Sequence, residues 1–487
     1  MTNVLFVSAE VAPFAKVGGL ADVAGSLPKA LRQAGVDVRV VMPLYGFLDL
    51  QRYQIEPLFT FDLPRPSGTT VVEVLRTVYD TVPLYFLRGW PFFGAETNVY
   101  GDWEWDSPRF IFFNQAVLAL ADALRDRDDW FPDVFHVNDW HTGLIPFLLE
   151  TKRAEPGWEH AGSMLSIHNM AYQGDNVGGW LWQEQIPPRD HPELVARGLV
   201  SNMLAIAITY SDIVSTVSPR YAVEIQYPYM GYGLDELLRT RIDALHGILN
   251  GIDLDQWNPA TDPLLIENYD ADNFLEKRVV NKRQLQADSG LEVRDDVPII
   301  TLVSRLVFQK GIDIAVPALR RLLLDTDVQF IALGSGEPDL QDQLYRLGRD
   351  FHWRASVFLG YNATVAQRIY GGADLFLMPS RYEPCGVGQM LAMRYGALPL
   401  VRETGGLADT VENYDDGPAD RGTGFTFLFE EPDALLSTIR WALNTYWERR
   451  DAWVRMQRRA MNVDFSWDRS ARQYADLYAR ASAKWKG

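Results

Sequence analysis

Short apolar runs that do not alternate with polar residues, each leading through a turn into a stretch of helical spacing, recur along this chain. They constrain its fold more than any other feature. Residues 4–8 are the first such run. A strand covered on both faces by helices has no polar side to alternate with, so it reads as a continuous apolar segment. After Lys16-Val17-Gly18-Gly19, the residues Leu20, Val23, Ala24, Leu27 and Leu31 fall on one helical face. Gly35 closes that helix, and 36–42 supply the next strand. Further strands are expected at 134–137, 164–168, 213–217, 299–303, 329–333, 356–359, 375–378 and 398–401, with helices over 311–324, 363–370 and 387–395. This alternation predicts an α/β chain of doubly wound parallel sheets with helices on both faces.

The chain has 487 residues, too many for one core and enough for two or three. A cluster of turn formers at 257–263, Trp-Asn-Pro-Ala-Thr-Asp-Pro, continues neither element type. The hinge is placed there, giving domains over 1–256 and 257–465. The terminal segment 466–487 carries a last helix over about 469–484 that could belong to either half. In doubly wound sheets, ligands sit beyond the carboxyl ends of the strands, so the chemistry is sought on the loops that follow them.

Composition narrows the partners. Formal charge is 46 − 64 = −18, which repels a phosphate backbone and argues against nucleic acid, while a neutral polymer feels no such penalty. Cys385 is the only cysteine, so no intrachain disulfide forms, as fits a reducing compartment. No basic leader precedes the first apolar run, and Glu10 interrupts it early. It reads as a buried strand rather than a signal or spanning segment, and the expected location is cytoplasmic, with no membrane partner.

Several loops could carry chemistry. In the loop from Glu10 to Asp22, Gly18 and Gly19 permit close backbone approach at a helix N-terminus, and Lys16 adds a cation. That combination suits a diphosphate, or it is an ordinary strand-to-helix turn with a surface lysine. The loops at 136–141, His-Val-Asn-Asp-Trp-His, and 166–169, Ser-Ile-His-Asn, hold compact polar clusters. They lack a Cys or carboxylate set at metal-ligand spacing, so no metal is expected. Asp139 and His168 suit hydrogen bonding to sugar hydroxyls, with buried, satisfied histidines as the alternative. Asp102, Glu104 and Asp106 read as a solvated loop.

In the second half, Arg305 and Lys310 bracket a loop directly after an apolar strand, and Gly311 opens the next helix. An anion ~4 Å from one such cation gains about 4 kcal/mol at an effective dielectric near 20, before desolvation. Two of them could offset charge developing on a departing diphosphate; the alternative is surface cations capping a helix. Glu383 stands alone on the loop 380–389, where burial would be costly without a partner. Cys385 could be a nucleophile, but no base is implied beside it, and structural burial is favoured. Thr404-Gly405-Gly406 echoes the first glycine loop and reads as another phosphate cradle.

With these residues in place, the chain closely resembles the bacterial glycogen synthase and starch synthase family. The matching stretches, in family order, are Lys-Val-Gly-Gly-Leu-Ala-Asp-Val at 16–23, Asn-Asp-Trp-His-Thr-Gly at 138–143, Ile-His-Asn at 167–169, Gly-Ile-Leu-Asn-Gly-Ile-Asp at 247–253 and Trp-Asn-Pro at 257–259. Val-Ser-Arg-Leu at 303–306, Gln-Lys-Gly at 309–311, Pro-Ser-Arg-Tyr-Glu-Pro-Cys-Gly at 379–386 and Thr-Gly-Gly-Leu-Ala-Asp-Thr at 404–410 complete them. The resemblance implies a GT-B fold: two Rossmann-like domains facing across a deep cleft, the first on the glucan acceptor side and the second binding the nucleotide sugar, with a C-terminal helix returning to the first. It implies retaining transfer from ADP-glucose to the non-reducing end of an α-1,4-glucan, with no cofactor or metal. By residue, it implies that Lys16, Gly18, Gly19 and Asp22 lie near the donor, and that Arg305 and Lys310 hold its diphosphate. Glu383, Cys385 and Gly386 would meet the donor glucose, Asp139, His168 and Asn169 its other side, and Tyr361 the adenine; Asn250 and Thr404, Gly405 and Gly406 complete the substrate contacts. The chain departs from the family at 202–207, Asn-Met-Leu-Ala-Ile-Ala, and after Tyr361, where Asn-Ala-Thr replaces an acidic pair. Alternatives are a related transferase using UDP-glucose or another acceptor, and a nucleotide-sugar epimerase.

Overall fold

The computed structural model describes residues 1–418 and 420–486. The chain divides into two compact units, Met1–Gly251 with Trp467–Gly487, and Ile252–Ser466.

The first unit is built on nine strands: β1 (Asn3–Val7), β2 (Asp37–Pro43), β3 (Glu56–Leu63), β4 (Thr70–Tyr79), β5 (Val82–Arg88), β6 (Val134–Asn138), β7 (Gly162–Ile167), β8 (Ile213–Thr216) and β9 (Leu245–Gly247). Their order is β3-β4-β5-β2-β1-β6-β7-β8-β9. From β5 through β9 every pairing is parallel. Two faces of helices cover these strands, which explains their unbroken apolar character. The helix Gly19–Gln33 buries Leu20, Val23, Ala24, Leu27 and Leu31, the stripe read from the sequence.

Strands β3 and β4 form an antiparallel arm with β5 that the sequence reading did not foresee. β4 meets β5 through Asp80 and Thr81, whose φ values of 46° and 72° give the double left-handed turn that matches strand twist. That turn ordinarily announces itself as Asn-Gly or Asp-Gly, and here it does not. Asp102, Glu104 and Asp106 require a correction as well. They open the helix Trp103–Asp128 rather than lie in a solvated loop, where acidic side chains suit the helix dipole. Asp106 is buried and accepts from Arg109 Nε at 2.8 Å.

The helix Trp467–Lys486 completes this unit. Its Tyr478 hydroxyl lies 2.7 Å from His136 Nδ1, while Lys484 Nζ and Trp485 Nε1 donate to Asp212 at 2.7 and 2.9 Å. A side chain at Gly162 would stand 2.7 Å from the carbonyl oxygen of Ala481, so glycine is what lets the helix approach β7.

The second unit holds β10 (Ile299–Val303), β11 (Gln329–Gly334), β12 (Ala355–Leu359), β13 (Leu375–Met378), β14 (Leu398–Arg402) and β15 (Phe425–Phe427). The order is β12-β11-β10-β13-β14-β15 and all pairings are parallel. The turn-rich stretch 257–263 lies inside this unit, a few residues past the division. Tyr395 donates to Asp262 Oδ2 at 2.7 Å and Tyr269 N–H to Pro259 O at 3.1 Å. These turns anchor the segment to the unit's own core rather than act as a free connector.

Candidate functional site

In the first unit β1, β6 and β7 are sheet neighbours, so the loops leaving their carboxyl ends lie side by side. Asp139, in the loop after β6, has φ +53°, an uncommon conformation for a residue with a side chain. Its Oδ1 accepts the backbone N–H of His168 at 2.7 Å. Burial pushes the Asp139 carboxyl up to about 7, against the pull of the His168 and Asn169 N–H groups. His168 Nε2 lies 2.9 Å from Asn138 Oδ1, and burial drives its ring down to about 3. His141 falls to about 3 for the same reason, aided by the positive charge of Arg109. Both rings are therefore neutral at pH 7 and act as hydrogen-bonding groups. His136 is wholly structural, held between the Tyr478 hydroxyl and Ser166 Oγ, each at 2.7 Å. Asn250 is buried, and its Oδ1 has no hydrogen-bond partner among the described residues; Asn169 Oδ1 accepts from Ala171 N–H at 3.0 Å.

The first glycine loop is partly occupied from within the protein. Glu10 is buried, and its Oε2 accepts the N–H groups of Val17 at 2.6 Å and Gly18 at 2.9 Å. The two N–H groups that lead into the helix Gly19–Gln33 therefore already carry a carboxylate of the protein itself. Lys16 is half committed as well, in an exposed 2.6 Å pair with Asp22. The Cα face of Gly18 and Gly19 stays open, and a side chain there would meet nothing within 4 Å.

In the second unit β10, β13 and β14 are neighbours, and a cavity of about 250 Å³ opens among residues that include Ser304, Arg305, Lys310, Ser380, Glu383 and Gly386. Lys310 Nζ lies 2.5 Å from Glu383 Oε2, with side-chain exposures of 15% and 8%. Ser380 Oγ donates to the same oxygen at 3.1 Å. Glu383 is thus buried with partners, which meets the requirement its sequence position raised. Arg305 is exposed, and its guanidinium has no hydrogen bond or ion pair among the described residues.

The turns around Glu383 are fixed by glycines. Gly311 has φ +67°, and a side chain there would run into the carbonyl of Pro379. At Gly405, with φ +45°, it would overlap the Glu383 carbonyl, and at Gly406 that of Cys385. Gly406 N–H donates to Glu383 O at 3.0 Å. The second glycine pair therefore backs onto the Glu383–Cys385 loop. Cys385 is buried at 5% exposure, Gly386 has φ +74°, and Thr404 takes the N-terminal cap position of the helix Gly405–Thr410. Tyr361 is 82% exposed and follows β12, two strands from β10; it does not line the cavity.

Residues that sequence reasoning passed over complete the picture. Arg381 makes two 2.8 Å bonds to Asp313, donates to Phe308 O at 2.8 Å and stacks 3.6 Å from the Phe308 ring centroid. It clamps the turn bearing Lys310 to the loop bearing Glu383. Gln389 Nε2 donates to Cys385 O, Gly386 O and Thr410 Oγ1. Asn202, at the departure in 202–207, caps the buried helix Met203–Tyr210 by accepting from Ala205 N–H at 2.8 Å. Among the described residues no group of three or more His, Cys, Asp or Glu is placed to hold a metal ion, and no helix is long and apolar enough to cross a membrane.

Residues 3–240 match the family model described as starch synthase catalytic domain, and residues 285–460 that of glycosyl transferases group 1. A glycogen synthase of Moorella thermoacetica is 44% identical over 99% of this chain and 97% of its own. One from Anaeromyxobacter sp. (strain Fw109-5) is 43% identical over 99% and 100%. Among solved structures, the catalytic domain of starch synthase IV from Arabidopsis thaliana, bound to ADP and acarbose, superposes with a TM-score of 0.87 at 32% identity, covering 99% of each chain. A sucrose-phosphate synthase from Thermosynechococcus elongatus, at 17% identity and a TM-score of 0.62, shares the fold.

Proposed function

We propose, from the premise that this chain belongs to the glycogen synthase and starch synthase family of GT-B glycosyltransferases, that it transfers glucose from ADP-glucose to the non-reducing end of an α-1,4-glucan with retention of configuration. The observation that carries the residue-level reading is the second-unit cavity, where a buried carboxylate, its lysine partner and an exposed arginine meet.

The diphosphate is the group whose charge grows as the glycosidic bond to glucose breaks. Arg305 offers it a cation with no competing partner among the described residues, and Lys310 a second one on the same loop. Glu383, held in place by Lys310 and Ser380, presents a fixed negative charge suited to a glucosyl ring as it gains oxocarbenium character. The acceptor hydroxyl attacks the anomeric carbon from the face the diphosphate leaves, and the departing phosphate oxygen takes its proton. That route needs no protein nucleophile, in keeping with a Cys385 that is buried beside turn-forming glycines. Positive charge for the leaving group comes from side chains, so the reading includes no resident metal or other cofactor. In the first unit, Asp139 and the neutral His168 are hydrogen-bonding groups for sugar hydroxyls. The location we infer is cytoplasmic.

The test is to incubate the purified protein with ADP-glucose or UDP-glucose, each with and without glycogen, and to follow nucleotide diphosphate release. ADP release that depends on glycogen is expected. Release without glycogen points to hydrolysis or an epimerase side reaction, and faster UDP release overturns the donor assignment.

A further inference from the structure

We propose that Glu10, together with Tyr100, is a positioning residue that sets the conformation of the Lys16–Gly19 loop and ties it to the loop bearing Asp139 and His141. Glu10 is 4% exposed, and every contact of its carboxylate is to a donor on a different stretch of chain. Oε2 takes the N–H groups of Val17 and Gly18, and Oε1 takes the Tyr100 hydroxyl at 2.5 Å. Its own backbone is held too, because Ser8 Oγ donates to Glu10 O at 2.6 Å and accepts from Glu10 N–H at 3.3 Å.

Gly18 is the N-cap of the helix Gly19–Gln33 and Val17 precedes it, so neither N–H has a partner within the helix. Left unsatisfied, they would bond water or pull the loop into other geometries. A carboxylate in the loop after β1 satisfies both at once, so the loop's path is dictated from beneath, while the Cα face of its glycines remains open. The Tyr100 ring in turn stacks on His141, 5.0 Å between centroids and 23° between planes. His141 packs against Phe110 and Trp140 and is fixed through its carbonyl by Asn114 Nδ2 at 2.8 Å. One buried carboxylate thus links the glycine loop, through one phenol, to the loop after β6. Displacing Glu10 by an incoming anion would strand a buried charge, so it is a permanent support and not a placeholder for substrate.

Three variants test this: Glu10→Ala, Glu10→Gln and Tyr100→Phe. The direct readout is amide hydrogen exchange, which requires no turnover. Glu10→Ala is expected to speed exchange at Val17 and Gly18 by about 100-fold while the strands of the same sheet keep their protection. Glu10→Gln, whose amide oxygen still accepts both N–H groups, should stay within about threefold of the parent. Tyr100→Phe, which keeps the ring and loses one bond, should raise exchange at the two amides about tenfold and serves if Glu10→Ala does not fold. In kinetics, which alone depend on the transferase reading, Glu10→Ala should raise KM for ADP-glucose about tenfold or more, with Glu10→Gln near normal. Unchanged exchange at 17–18 in Glu10→Ala or Tyr100→Phe overturns the proposal, as does Glu10→Gln behaving like Glu10→Ala. A uniform rise in exchange across the whole sheet also overturns it. The expected exchange pattern in a protein whose parent releases no ADP with glucan leaves the support role standing and removes the transferase reading instead.

Discussion

The Lys310 ammonium sits 2.5 Å from Glu383 Oε2, shielded from solvent on both sides of the contact, whereas Arg305 on the same loop is exposed and, among the described residues, unpaired. Two cations that look equivalent in the sequence are therefore in different electrostatic states before any substrate arrives. Arg305→Ala removes a charge that only a ligand would use. Its kcat/KM should fall ~100-fold with the melting temperature essentially unchanged. Lys310→Ala should lose as much activity and in addition about 1–3 kcal/mol of stability, because it leaves a buried carboxylate short of a partner. Coupled ADP-release assays and denaturant melts on both variants separate the two cases; equal melting losses would refute the distinction.

Gly405, Gly406 and Gly19 should part company under substitution by alanine. At 405 and 406 the new methyl overlaps the carbonyls of Glu383 and Cys385, so the loop carrying Glu383 must shift. Activity is expected to drop at least ~10-fold, along with a stability loss of about 2 kcal/mol or more. At Gly19 a methyl meets nothing, and stability should stay within about 0.5 kcal/mol. Any rise in KM for Gly19→Ala then reports substrate approaching that open face, and an unaltered KM places the substrate elsewhere.

Arg381→Lys tests the clamp between the Lys310 turn and the Glu383 loop. Lysine cannot reproduce the two-bond grip on Asp313 while also reaching Phe308 O. A kcat about tenfold lower, with the protein still folded by circular dichroism, is the expected result. A kcat equal to that of the parent would show that the clamp does not govern the site.

Acid should weaken the first unit through its histidines, and Asp139 should oppose them. His141 and His168, at about 3 in the fold, bind protons in the unfolded chain near 6.5. Their contribution to stability is complete above 6.5 and is lost as pH falls from 6.5 toward 3. Asp139 runs the other way: held at about 7 in the fold against about 3.8 unfolded, it lowers stability as pH rises from 4 to 7. Asp139→Asn removes that opposition. The slope of unfolding free energy against pH, measured between 4 and 6.5, should steepen by about one proton, or ~1.4 kcal/mol per pH unit. A slope that is unaltered or shallower contradicts the assignment.

Much of the fold was legible because its signals are local. The strands at 299–303 and 375–378 appear where unbroken apolar runs place them, and the loops after them hold the residues that the sequence singled out. What escaped depends on partners far away along the chain. Glu10 is ninety residues from Tyr100, and Arg381 sixty-eight from Asp313, so neither contact leaves a trace in spacing. The two Gly-Gly motifs are nearly identical in sequence, yet one lies open and the other is pressed onto backbone, a difference set by tertiary packing alone. The arm β3–β5 escaped because its hairpin turn uses Asp80-Thr81 in place of a glycine signature.

The helix Trp467–Lys486 belongs with residues from the opposite end of the chain, so the first unit is assembled from two separated stretches and the second from one. Removing residues 467–486 would therefore damage the sheet of β1–β9, baring the His136 and Asp212 side chains that this helix contacts. During translation that sheet cannot be finished until residues 467–486 have left the ribosome, whereas residues 252–466 are all in hand before then.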